Sequence, residues 1–168
     1  MQNHKVIKSF RKEIEKIVSL NTDIPWLTFY SDYSDNKSYT LKQLGSRVCD
    51  FCHFYSTVGL KKEDSIVIIL QESLDLFASF FAGIIYGALP GFYAYPSKKQ
   101  SNSNFIDSLK GLLTYNKISL VITYDEVKDL LESKSELKSK FKVVTSHDVL
   151  ERDQLDFSSI SSGYENEG

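Results

Sequence analysis

The sequence predicts an α/β fold: a mainly parallel sheet flanked by helices on both faces, with a short N-terminal β-hairpin and helix. Three observations predict it. The runs 65–70 (SIVIIL) and 119–123 (SLVIT) are apolar almost without alternation, the pattern of strands covered on both faces. Segments whose apolar residues recur every three or four positions separate these runs, as crossover helices do. Capping and turn signals stand at the joins.

In chain order, Val6, Ile7, Phe10, Ile14, Ile17 and Val18 repeat at helical spacing and predict a helix over about 4–20. Residues 21–25 interrupt it. The β-branched and aromatic run 26–30 suits a strand, 31–37 a polar turn, and 38–40 a returning strand. Thr40 with Gln43 matches the capping box, in which hydroxyl and amide side chains satisfy each other's orphan backbone donors. Leu41, Leu44, Val48, Phe51, Cys52 and Tyr55 then trace an apolar stripe, and Gly59 is placed to turn left-handed at the helix end. A charged connection over 61–64 leads into the strand at 65–70. A helix over 74–86 and a strand over 89–94 complete a crossover expected to be right-handed. Phe105, Leu109, Leu112 and Leu113 predict the next helix, 119–123 the next strand, Val127, Leu130 and Leu131 a short helix, and 141–145 (FKVVT) a last strand. One α/β domain is expected over 1–150 and a loose, Ser-, Gly- and acid-rich tail over 151–168.

Composition narrows the function. With 20 Lys and Arg against 22 Asp and Glu the formal charge is -2, and no basic stripe is present to neutralise a run of phosphates, so no nucleic-acid partner is expected. Two cysteines cannot build a disulfide framework, and the first ten residues lack a signal-peptide core, so a cytoplasmic location is expected. No charge occurs from Leu76 to Ser97, and Gly83, Gly87 and Gly91 extend a GxxxG pattern. A helix over 74–86 would nevertheless be about 20 Å long against a hydrocarbon core of about 30 Å, so a helix buried under a sheet is expected there and no membrane span.

Candidate chemistry is sparse. Cys49-Asp50-Phe51-Cys52-His53 has the CxxCH spacing of haem attachment, but it lies within a predicted helix whose apolar stripe includes Cys52. Core packing is the expected role of Cys52. His4, His53 and His147 are scattered and read as surface residues. Asp32, Asp35 and Asp64 fall in turns, where carboxylates cap amides. Asn36-Lys37-Ser38 is a turn that formally matches a glycosylation sequon. Lys134, Lys138, Lys140 and Lys142 interleave with Glu132 and Glu136 as on a solvated edge. Neither GxGxxG nor GxxxxGK[ST] occurs.

A series of signals carries more. Ser38-Tyr39-Thr40-Leu41 opens a helix, and Gly59-Leu60-Lys61-Lys62-Glu63-Asp64 leads into Ile66-Val67-Ile68. Gly87-Ala88-Leu89-Pro90 follows, then Tyr95-Pro96-Ser97, residues 109–113 and Leu120-Val121-Ile122-Thr123. In this order and spacing, over roughly 25–150, the chain resembles the adenylate-forming family of acyl-CoA synthetases, fatty acyl-AMP ligases and peptide-synthetase adenylation domains. Residues 92–97 are more similar to the acyl and fatty-acyl branches than to the amino-acid-activating one.

The resemblance implies a reaction in which a carboxylic acid attacks ATP, with magnesium, to give an acyl-adenylate, the acyl group then passing to a thiol. It also implies a departure. The family's phosphate loop, rich in Ser, Thr and Gly and ending in Pro-Lys-Gly, should begin near residue 168, with the adenine, magnesium and lysine residues later still. Ser158-Ser159-Ile160-Ser161-Ser162-Gly163 is similar to the start of that loop but lacks its threonines, and no Lys or Arg follows Arg152. No catalytic, cofactor-binding or metal residue is therefore assigned. Neither ATP nor magnesium is expected to be held by this chain, although both would serve the full-length enzyme.

The expected function is the N-terminal subdomain of an acid-activating ligase, inactive by itself, supplying sheet scaffold and part of an acyl-pocket wall. The surface that missing domains would cover would allow self-association. The alternative is a stand-alone interaction module that keeps the fold without the chemistry. A flavodoxin-like receiver or cofactor domain would need a strand-end carboxylate cluster or phosphate loop, and the sequence has neither.

Overall fold

The computed structural model describes residues 3–30, 36–96, 102–134 and 141–151. Helix α1 (Asn3–Val18) precedes an antiparallel hairpin of β1 (Pro25–Phe29) and β2 (Lys37–Thr40). Then come α2 (Leu41–Thr57), β3 (Ser65–Ile68), α3 (Leu74–Tyr86), β4 (Leu89–Phe92), α4 (Asn102–Tyr115), β5 (Ile118–Thr123), α5 (Asp125–Glu132) and β6 (Lys142–Thr145), closed by a 3-10 turn at Ser146–Asp148. Strands β3 to β6 form one parallel sheet in the order β4-β3-β5-β6.

Local chemistry sets the element ends. The Thr40 hydroxyl accepts from the Gln43 amide N–H at 3.2 Å, and the Gln43 side chain accepts from the Thr40 N–H at 2.9 Å, completing the capping box that starts α2. The helix stops at Val58, and Gly59 turns away with φ +75°, a conformation that costs a residue with a Cβ. Helix α3 opens on the Ser73 hydroxyl, which accepts from the Leu76 N–H at 3.2 Å, and ends on left-handed Gly87.

Strict alternation along the central strands divides the core into two layers. Ile66, Ile68, Leu120 and Ile122 point to the face covered by α2 and α3, where Leu44, Val48, Phe51, Tyr55, Ala78, Ala82 and Ile85 are buried and α1 adds Ile14 and Val18. Val67, Ile69 and Val121 point to the other face, covered by Phe105, Ile106, Leu109 and Leu113 of α4 and Val127 and Leu131 of α5. Two buried strands with helices on opposite faces are what the unbroken apolar runs require. The hydroxyl of fully buried Tyr55 donates to the Ser79 carbonyl at 2.8 Å and ties α2 to α3.

Several expectations change in detail. The ladder of β3 ends at Ile68 although Ile69 and Leu70 remain buried, and β4 ends at Phe92, because the apolar runs extend past the last paired residues. In α1, Ile14 and Val18 are buried but Phe10 and Ile17 are exposed, since only one edge of the apolar stripe meets α2 and α3. Helix α3 is buried by one face, as a helix under a sheet should be: Ala78, Ser79, Ala82, Gly83 and Ile85 face the core, while Phe77, Phe80, Phe81 and Ile84 form a half-buried stripe. Its Gly83 permits close approach to a strand. A Cβ there would sit 2.9 Å from the Pro90 Cβ. No helix among the described residues is long and apolar enough to cross a membrane. Most of the expected 31–37 turn and nearly all of the 151–168 tail lie outside the described residues.

Candidate functional site

In a parallel sheet all the strand carboxyl ends lie on one edge, and the connections diverge where the strand order reverses. Here the chain leaves β3 toward β4 on one side and returns through α4 to β5 on the other, so the divergence lies between β3 and β5. That point is closed. The Ile69 N–H donates to the Ile122 carbonyl at 2.8 Å and the Thr123 hydroxyl donates to the Ile69 carbonyl at 3.1 Å, both within the buried layer. Above it the rings of Tyr95 and Tyr124 meet edge to face at 5.7 Å. Burial first, then the charge of Glu126, raises the Tyr95 hydroxyl above its ordinary pKa and keeps it neutral.

An open cleft of about 510 Å³ lies one step along the same edge, beside the end of β6. It is lined by Tyr39, by Ser73 and Asp75 at the start of α3, by Ser146, His147 and Glu151, and by Arg47 at its base. Arg47 comes from the middle of α2 and is the hub of the cleft wall. Its Nε donates to Asp75 Oδ1 at 2.7 Å and its Nη2 to Asp75 Oδ2 at 3.2 Å, the two-pronged pairing that a guanidinium favours. Nη2 also donates to the Ser146 carbonyl at 3.1 Å, and Nη1 to the Val149 carbonyl at 2.8 Å and to Asp50 Oδ2 at 3.4 Å. The guanidinium carbon stands 4.9 Å from the centre of the Phe51 ring.

These contacts fix what the cleft can do. A guanidinium has five N–H donors and no acceptor, and here each donor has a partner. Burial works against the charge of Arg47, but the hydrogen bonds and charges of Asp75 and then Asp50 outweigh it and raise its pKa further. Arg47 is therefore a permanent, saturated clamp. The cleft's other basic side chain, His147, is exposed and lies 3.7 Å from Asp125. With Asp75 and Glu151 also on its walls, the cleft does not fit a triphosphate, and none of its residues is placed to stabilise charge on a transferring phosphate.

The residues weighed from sequence fall elsewhere. Cys49 and Cys52 are buried free thiols in α2. The Cys52 Sγ donates to the Ala82 carbonyl at 3.7 Å, and burial, then the neighbouring Cys49, raise its pKa well beyond the thiol range. Packing is its role, as expected. His53 and His147 are exposed, far apart in sequence and on different elements. Asp64 caps its turn by accepting from the Lys61 N–H at 2.8 Å. Asp32, Asp35, Glu136, Lys138 and Lys140, and the side chain of His4, lie outside the described residues. Among the described residues no three His, Cys, Asp or Glu side chains group as metal ligands do. The clamp itself escaped sequence reasoning. An arginine and an aspartate three apart on the flank of an apolar helix, Arg47 and Asp50, were its one local sign.

No family model and no curated protein matches the chain. Solved structures do. The fatty acid AMP ligase of Legionella pneumophila superposes with a TM-score of 0.68 over 83% of this chain and 24% of its own, at 15% identity. A structure from work on the fatty acyl-adenylate ligases of E. coli and L. pneumophila gives 0.70 over 87% of this chain and 27% of its own, at 20% identity. This is the fold of part of an adenylate-forming ligase. The adenylation domain of a keto acid-selecting NRPS module, bound to its keto acyl adenylate, gives a TM-score of 0.68 over 86% of this chain and 27% of its own, at 16% identity. The ligase fold is thus shared by fatty-acid and keto-acid enzymes, and the chain spans about a quarter of the length of each.

Proposed function

We propose that these residues are the N-terminal portion of an acid-activating ligase, supplying sheet scaffold and part of an acyl-pocket wall, and that they do not form acyl-adenylates by themselves. The observation that carries the reading is the likeness of nearly the whole chain to about a quarter of enzymes named for acyl-adenylate chemistry. The saturated Arg47 supports the second half, since the cleft holds no free guanidinium for a phosphate. ATP, magnesium and a carboxylic acid belong to the complete enzyme in this reading. A fatty or other acyl acid is favoured over an amino acid by the sequence of residues 92–97.

The test is ATP–pyrophosphate exchange by the 168-residue chain with a panel of fatty and aryl acids. Exchange no faster than a blank without protein is expected, and turnover above that blank overturns the claim of inactivity. The stand-alone interaction module remains a second reading because one apolar face of the sheet end is uncovered.

A further inference from the structure

We draw no further inference here: the strongest candidate, the half-open apolar stripe of α3 beside β4 with Trp26 and Phe92 at its margins, carries nothing because nothing in the structure shows what covers it.

Discussion

Arg47 shows most directly how a single side chain shapes this molecule. Its guanidinium is 11% exposed and Asp50 only 3%, so removing the cation takes the paired charge away from a buried carboxylate. Arg47→Ala should cost about 3 kcal/mol in urea unfolding, the penalty of breaking a buried pair from one side. Arg47→Lys should recover little of it, since an ammonium cannot reproduce the fork to Asp75 together with the two carbonyl contacts. At the other end of the same segment, Asp148 accepts from the Thr145 N–H at 2.8 Å and lies 3.6 Å from Lys128. The Thr145 hydrogen bond, assisted by Lys128 and against the pull of burial, lowers its pKa. A lowered folded pKa means that its stabilisation is present above the ordinary carboxylate range and is lost as pH falls through the folded value. The stability of Asp148→Asn should therefore fall less steeply with acid below about pH 4 than that of the parent, read by urea unfolding across pH. At Cys52, burial keeps the thiol protonated, so it should resist a disulfide reagent in the native chain and react once the chain is unfolded in urea. The capping box of Thr40 and Gln43 was legible because both partners lie within one turn. The Arg47–Asp75 pair was not, because 28 residues separate its members and only the folded sheet brings them together.

Among the elements, α3 was placed at its observed bounds, since polar residues before it and the break before Pro90 frame an apolar run whose one charge is Asp75 in the first turn. Its surroundings were not legible. A helix buried under a sheet was expected, and one face is; that the sheet ends at β4 and leaves the other stripe half open is not written in the run itself. Two glycines in helices separate packing from propensity. In α3 a Cβ at Gly83 would meet the Pro90 ring at 2.9 and 3.0 Å, and a ring in a paired strand cannot swing aside. Gly83→Ala should therefore lower stability by about 1–2 kcal/mol, overpacking outweighing the helix-propensity gain. In α4 a Cβ at Gly111 would meet nothing within 4 Å. Gly111→Ala should raise stability by up to about 1 kcal/mol, read in the same urea titration.

Across the whole molecule, the fold class followed from strands that lack alternation and so need cover on two sides. The strand order β4-β3-β5-β6 and the division of the core into two layers depend on contacts far apart in sequence, which periodicity does not encode. The same order predicts a gradient of local stability. Amide exchange should be slowest in β3 and β5, which are paired on both sides, and faster in the edge strands β4 and β6. Equal protection across all four strands would contradict it.

The carbonyls of Ser146 and Val149 are pinned by a guanidinium 99 and 102 positions earlier in the chain. The backbone thus leaves its last described strand on a heading chosen by the second helix. Position 47 acts as a latch on residues 146–149, and a change there would unfasten the described end of the chain from the helix that holds it.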